Sequence, residues 1–295
     1  MLIMPQKTPP IDELISVCCL KDIDTWAITS RFIVENIAAS RYKVVVPDDE
    51  VNEFIEISPI EFVITGESKY TKEFREKLKT KLPTNKKDQL GWYLQQFIKL
   101  YAAKDNAVSA TVLIWDADTA PITELNFINT DGKIQYYKSE EHHQPYFDTI
   151  KKLLFLEKKV DFSFIAQCFP LKVSWLNELC TELESQFQIP WVDAILDQID
   201  FNEGNGFSEY ETLGTYISNK YPNEIIFIDR PWWRLGNSLI NHVAFLSKKK
   251  AQQLAKSYDF ISFEKWERAK PYWLKVSIPY FFKIYLPKKL REILP

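Results

Sequence analysis

The sequence predicts a layered α/β fold, and three observations support that class. Strand-like and helix-like segments alternate through roughly the first 120 residues, in the order strand, helix, strand, strand, helix, strand. Residues 111–115 form a continuous, partly β-branched apolar run, which is typical of a central strand covered on both faces. No change of composition marks a linker, so residues 1–266 are predicted to form one domain and 267–295 a tail.

The predicted elements follow from apolar periodicity and from the residues at their ends. Apolar side chains recur at helical spacing along residues 26–39, and Pro83 ends the helix predicted for 69–82. Pro47 stops a short strand at 42–46. The other predicted strands are 14–20, 62–64, 111–115, an antiparallel strand at 133–137, a short strand or loop at 161–166, and 225–228. The other predicted helices are 89–104, 144–155, 174–186, 190–198, 209–219 and 247–258.

The composition excludes several functional classes. With 46% hydrophobic residues among 295, the chain can bury a sizeable core. It has only seven glycines and neither a GxGxxG nor a GxxxxGKS/T pattern, so a glycine-rich phosphate loop is not expected. The net charge of −3 argues against general nucleic-acid binding.

Cysteine usage and hydropathy indicate the compartment. The four cysteines show no zinc-ligand spacing, and Cys18 and Cys19 are predicted to be small core residues of a strand. The first ten residues contain no apolar segment typical of a secretion signal, and no run approaches the ~20 apolar residues of a membrane span. We therefore expect a cytoplasmic protein.

Two aspartates directly follow the predicted central strand. Asp116 and Asp118 lie at its carboxyl end, and alternate residues of an extended chain point the same way. Open α/β sheets bind ligands outside the carboxyl ends of their strands. Two carboxylates there suit a hard divalent cation, Mn²⁺ or Mg²⁺, which holds a diphosphate. The alternative is a solvated aspartate pair in a turn, and Asp22 and Asp24 have the same spacing.

The helix before this strand carries a second candidate group. Gln96 and Lys99 fall on one helical face, and Gln95 neighbours Lys99 at a spacing of four residues. An amide can recognise a base or a sugar, and lysine supplies a point charge for phosphate. The alternative is a solvated helix face.

Two glutamates and one histidine complete the candidate set. Ser208 is predicted to cap the helix at 209–219, with Glu211 as its capping-box partner. A carboxylate at such a helix start can also deprotonate a sugar hydroxyl, and Glu209 is the freer of the two glutamates for that role. His242 is a candidate third ligand for a metal held by the two aspartates. A lone histidine is otherwise structural.

Four motifs occur in order along the chain: residues 91–96 (GWYLQQ) with Lys99 and Leu100, 116–119 (DADT), 163–166 (SFIA) and 208–211 (SEYE). They resemble those of a family of bacterial proteins, the DUF6492 type, which is similar to glycosyltransferases of the GT-A fold. The resemblance runs from about residue 15 to residue 266, and it implies a Rossmann-like three-layer α/β/α sandwich with a mixed central sheet. The sequence departs from the family pattern after the third motif, where Gln167-Cys168 stands in place of a histidine.

The resemblance also implies roles for individual residues. In GT-A enzymes the DxD element binds a divalent metal and the diphosphate of a sugar nucleotide, and this role falls on Asp116 and Asp118. The ends of the first strands form the nucleotide pocket, which here corresponds to Leu20 and Lys21 and to 47–49, including Asp48 and Asp49.

The resulting hypothesis is a metal-dependent glycosyltransferase of surface polysaccharide synthesis. Its substrates are a nucleotide sugar and a glycan or lipid-linked acceptor. Glu209 or Glu211 serves as the base if the reaction inverts the sugar, and no base is required if it retains. The alternatives are a metal-dependent phosphodiesterase or nucleotidyltransferase that uses the same aspartates, and a non-catalytic carbohydrate-binding protein whose many aromatic residues stack on sugars.

The C-terminal tail has its own pattern. From residue 268 onward the chain has seven Lys or Arg residues, one acidic residue and six aromatic residues. This mixture suits peripheral contact with an anionic membrane, here the inner face of the cytoplasmic membrane. The alternative is a tail that folds back, with its aromatic side chains in the core and its lysines in water.

Overall fold

The computed structural model describes residues 11–264, and the predicted tail lies outside these residues. No helix among them is long and apolar enough to cross a membrane. The strands are β1 (Glu13–Val17), β2 (Tyr42–Val46), β3 (Phe62–Gly66), β4 (Thr111–Trp115), β5 (Thr119–Pro121), β6 (Ile134–Tyr137), β7 (Cys168–Lys172), β8 (Ile225–Ile228) and β9 (Phe260–Ser262). The helices are α1 (Ile23–Asn36), α2 (Val51–Ile57), α3 (Ser68–Thr71), α4 (Arg75–Lys81), α5 (Leu90–Lys104), α6 (Gln144–Leu154), α7 (Val173–Phe187), α8 (Trp191–Gln198), α9 (Glu209–Lys220), α10 (Gly236–Ile240) and α11 (Lys248–Leu254).

The described residues divide into two compact units, each built from alternating segments of the chain. Because neither unit is one continuous stretch, no linker in the sequence marks the division. The first unit contains 11–19, Ala38–Asp116 and Asn126–Asp229, and the second contains Leu20–Ile37, Ala117–Leu125 and 230–264.

A five-stranded mixed sheet forms the centre of the first unit, in the order β3-β2-β1-β4-β7. The first four strands are parallel, and β7 pairs antiparallel with β4. Helix α5 packs against β1 and β4, and α7 packs against β7. The α/β class and the mixed central sheet with flanking helices that the sequence predicts are confirmed.

The predicted central strand is β4, with the bounds expected from the sequence. All five of its residues are buried, because β1 and β7 pair with its two edges and helices cover it. The core around it includes Ile15, Phe97, Ile114 and Phe169, all shielded from solvent. Asp116 follows β4 at the edge where the parallel strands end.

Several predicted elements differ from the structure. The 133–137 prediction was wrong in direction, because β6 pairs parallel with β8 after the chain returns through intervening helices. The helix predicted at 69–82 is divided into α3 and α4. Strand β7 was not predicted, since Pro170 is typical of an edge strand and weakens the strand pattern.

The second unit is smaller. Strands β5 and β9 pair antiparallel, and α1 packs against β5. Its apolar core includes Phe32, Ile122, Ile261 and Phe263. Thr29 on α1 donates a hydrogen bond to the carbonyl of Ala117 at 2.6 Å.

Candidate active site

Asp116 is fixed at its backbone and at one carboxylate oxygen. Its N–H donates to the carbonyl of Gln167 at 2.9 Å, which adds one hydrogen bond beyond the last β4–β7 residue pair. Its Oδ1 accepts from Lys99 Nζ at 2.6 Å and from the Tyr210 hydroxyl at 2.9 Å. No side chain or N–H among residues 11–264 hydrogen-bonds its Oδ2. Asp116 can therefore accept a ligand through Oδ2 without losing its protein contacts.

Lys99 on α5 joins Asp116 to Glu209. Its Nζ lies 2.8 Å from Glu209 Oε1, and each of these two side chains is only 5% exposed. Lys99 also lies 4.4 Å from the centre of the Tyr210 ring, a cation–π contact. Three charged side chains, one positive and two negative, are thus gathered inside the first unit. The interpretation of this helix face as simply solvated was wrong, because Gln96 and Lys99 are both buried.

Burial and charge shift the pKa values in this cluster. Burial alone would lower the pKa of Lys99, but Asp116 and Glu209 outweigh it and raise that pKa above its ordinary value. Burial raises the pKa of Glu209, although Lys99 opposes the shift. Glu209 also borders a small cavity whose other walls are mainly apolar, including Leu100, Leu176 and Trp191. Since Lys99 is shared between two carboxylates, its charge does not fully offset the burial of Glu209, and the pKa of Glu209 stays above its ordinary value.

Tyr210 is a member of the cluster that the sequence analysis missed. It is 2% exposed, and its ring stacks on Phe169 at 5.6 Å with an angle of 9°. Burial, followed by the charges of Asp116 and Glu209, raises the pKa of Tyr210 well above its ordinary value. It therefore stays a neutral hydrogen-bond donor to Asp116. Only its position beside Glu209 at a helix start could have pointed to it.

The two glutamines of α5 have different surroundings. Gln96 is buried, and its Oε1 accepts a hydrogen bond from the Glu209 backbone N–H at 3.0 Å. Its Nε2 is buried and has no hydrogen-bond partner among residues 11–264. Gln95 is half-buried. Through this hydrogen bond Gln96 holds the first residue of α9 in position. A ligand contact for either glutamine amide stays a prediction.

Glu211 is fully buried and bound to the loop before β7. Ser208 Oγ accepts from the Glu211 N–H at 3.3 Å, as predicted for a helix cap. The capping-box role of the Glu211 carboxylate was wrong, because that group instead accepts from Ser163 Oγ and the Phe164 N–H. Lys158 Nζ lies 3.1 Å from its Oε2, close enough for an ion pair but without hydrogen-bond alignment.

The predicted nucleotide-pocket residues lie at two strand ends. Asp48 follows β2, and its carboxylate accepts from both the hydroxyl and the backbone N–H of Ser68. Asp49 is exposed on the same short 3-10 turn. Leu20 and Lys21 belong to the second unit, in a 3-10 turn before α1. Nucleotide binding by these four residues stays a prediction.

Asp118 and His242 also belong to the second unit. Asp118 Oδ1 accepts from Thr119 Oγ1 at 3.2 Å and from Ser262 Oγ at 3.3 Å. His242 is buried, and its Nδ1 accepts from the Ala244 N–H at 3.1 Å. Across the part of the chain that the structure describes, no three or more His, Cys, Asp or Glu side chains form a group that could hold a metal ion. Metal binding by Asp116, Asp118 and His242 stays a prediction.

The family model for DUF6492, a family of unknown function, matches residues 28–267. The chain therefore belongs to this family, as the four motifs indicated. No curated protein is significantly similar to it in sequence.

The chain is similar to solved structures of glycosyltransferases, at low identity. A structure of the galactosyltransferase LgtC in complex with donor and acceptor sugar analogs has 10% identity and a TM-score of 0.48, covering 96% of this chain and 100% of that one. Mouse xyloside xylosyltransferase 1, in its apo form, has 9% identity and a TM-score of 0.45, covering 86% and 98%. The glycosyltransferase GlyE of Streptococcus pneumoniae TIGR4 has 8% identity and a TM-score of 0.41, covering 86% and 55%.

Proposed function

We propose that the protein is a metal-dependent glycosyltransferase of the GT-A type. It moves a sugar from a nucleotide-sugar donor to a glycan or lipid-linked acceptor in surface polysaccharide synthesis. The observation that carries the proposal is the Lys99 bridge between Asp116 and Glu209, beside the carboxyl edge of a parallel sheet region. Ligands bind at this edge in open α/β sheets. The four motifs support the same assignment, because they resemble those of the DUF6492 family, which is similar to glycosyltransferases of the GT-A fold.

Asp116 offers a donor atom that suits a divalent cation. Mn²⁺ and Mg²⁺ prefer carboxylate oxygens, and Oδ2 of Asp116 receives no hydrogen bond from the described residues. In the proposal Asp116 and Asp118 hold this ion, with His242 as a further candidate ligand. When bound, it stabilises the charge that develops on a leaving diphosphate.

Lys99 and Glu209 have the other roles in the proposed reaction. Lys99 holds Asp116 and Glu209 in place and adds positive charge near the proposed diphosphate. The raised pKa of Glu209 brings it closer to the neutral range, in which a general base works best. Glu209 takes the proton of the acceptor hydroxyl if the reaction inverts, and orients a substrate if it retains. Glu211 has no described contact with this cluster. Its carboxylate instead contacts Lys158, Ser163 and Phe164 in the 158–164 loop.

A panel of nucleotide sugars tests the proposal. Each donor is incubated with the protein and Mn²⁺, with Mg²⁺, or with EDTA, and the products are identified by mass spectrometry. We expect slow release of a nucleoside diphosphate that stops in EDTA. Release of a monophosphate or pyrophosphate would support a phosphodiesterase or nucleotidyltransferase instead, and sugar binding without turnover a carbohydrate-binding protein.

A site variant and a control variant test whether the activity depends on Asp116. Asp116→Asn should abolish the release, because the amide presents only one acceptor oxygen and no charge. Asp229→Asn is the control, since Asp229 is an exposed acid that pairs with Lys138 in the same unit. Equal loss in both variants, or full activity of Asp116→Asn, would refute the assignment of the site.

A further inference from the structure

The backbone of Gln167 lies in the left-handed region, although Gln167 is neither glycine nor asparagine and does not directly follow a helix. Its φ is 61°, a region that is unfavourable for residues with a Cβ atom, and the residue is 4% exposed. Four other non-glycine residues in 11–264 have positive φ, and each has an explanation. They are Phe155, Gln188 and Asn241, which follow α6, α7 and α10, and Asn205, whose side chain tolerates this conformation.

The carbonyl of Gln167 holds Asp116. The last residue pair of the β4–β7 ladder is Trp115 with Cys168, and the hydrogen bond from Asp116 N–H to Gln167 O comes directly after it. Because Gln167 immediately precedes β7, its φ and ψ set how the segment before it joins the strand end that presents this carbonyl. A residue that cannot hold positive φ here must displace either the segment before it or this carbonyl, and displacing the carbonyl releases the Asp116 backbone.

The other end of the same segment is attached to α9. We call residues 163–167 the connector. Ser163 and Phe164 donate to Glu211, and a Cβ placed on Gly214 would lie 2.2 Å from the Phe164 ring. The connector therefore joins the helix that carries Glu209 and Tyr210 to the strand end that carries Asp116.

We infer that Gln167 is a positioning residue for Asp116, and that the connector sets the spacing between Asp116 and the start of α9. The inference rests on the proposed function for its effect on turnover, but its geometric part is independent of any substrate. The left-handed backbone of Gln167 is the element that acts.

Three substitutions of Gln167 distinguish the effect of its backbone conformation from the effect of its side chain. Gln167→Gly and Gln167→Val both remove the amide, but glycine adopts φ near 60° readily whereas β-branched valine does not. Gln167→Asn keeps an amide and tolerates the left-handed region. The first readout is amide hydrogen exchange at Asp116, with the Leu113 amide inside β4 as internal reference.

The exchange experiment has clear outcomes. We expect the Asp116 amide to exchange at least about tenfold faster in Gln167→Val, with Leu113 unchanged, because only the bond to the connector is lost. Gln167→Gly and Gln167→Asn should match the wild-type protein. Equal protection of Asp116 in Gln167→Val and wild type, or loss of protection in Gln167→Gly, would overturn the inference. Faster exchange at both amides in Gln167→Val would mean general destabilisation and would also count against it.

Turnover is the second readout, measured with the best donor from the nucleotide-sugar panel. A positioning role predicts that kcat falls at least about tenfold in Gln167→Val while Gln167→Gly stays within about twofold of wild type, since a small displacement of a reacting group is costly. If both variants lose activity alike, the side chain acts and the backbone role is wrong. If the wild type turns over no donor, the proposed function fails, and hydrogen exchange still decides the geometric inference.

Discussion

Lys99 Nζ lies 2.8 Å from Glu209 Oε1 in a site from which nearly all solvent is excluded. A buried ion pair loses hydration on both sides, so it needs close geometry and further partners to persist. Asp116 and Tyr210 provide them, at 2.6 and 3.3 Å from the same ammonium. The lysine is therefore the centre of the cluster, and its removal leaves the buried Glu209 carboxylate and the partly buried Asp116 carboxylate without their shared counterion.

The first prediction concerns the stability contributed by Lys99. Lys99→Met should lower the free energy of unfolding by roughly 3–5 kcal/mol, the range for breaking a buried ion pair. The control is Lys220→Met, whose partner Glu182 lies at 2.7 Å and whose side chain is 40% exposed. Solvent screens that pair, so its loss should cost about 0–1 kcal/mol. Urea denaturation of the three proteins gives both values, and similar losses in the two variants would contradict the central role of Lys99.

The second prediction concerns pH and Glu209. A carboxyl group whose pKa is raised on folding contributes stability that is fully present below its ordinary pKa of 4.5 and is lost as pH rises through the folded pKa. Glutamine does not titrate. The free energy of unfolding of Glu209→Gln minus that of wild type should therefore increase from about pH 4 to about pH 8.

Urea midpoints across this pH range measure the difference. A decrease toward neutral pH would mean that Lys99 lowers the pKa of Glu209 by more than burial raises it. Asp229→Asn, at an exposed ion pair, is measured alongside as the matched control.

Local sequence patterns predicted much of the framework. Strand β4 and helix α5 were predicted to within one residue at each end, because a buried apolar run and a helical apolar face are properties of neighbouring residues. Asp116 was a candidate for the same reason, since it follows a recognisable strand.

The contacts of the site depend on residues far apart in sequence. Tyr210 reaches Asp116 across 94 positions, and Glu211 reaches Ser163 across 48, so no spacing rule could reveal either contact. The burial of Lys99 was equally hidden, because two of its polar partners, Glu209 and Tyr210, come from a later helix. Strand β7 was missed because Pro170 contradicts a central strand, although an edge position accepts it.

The last prediction separates Glu211 from Glu209. Glu211→Ala leaves the Ser163 hydroxyl and the Phe164 N–H without their acceptor, and Lys158 without its counterion. It should therefore lower the free energy of unfolding by roughly 3–5 kcal/mol, whereas Glu182→Ala, at an exposed pair, should cost about 1 kcal/mol or less. In contrast, Glu209→Gln should lower turnover far more than it lowers Tm. Thermal denaturation and donor turnover, measured on the same preparations, check both statements. If Glu211→Ala is stable but has lost turnover, then Glu211, and not Glu209, is the residue that acts in the reaction.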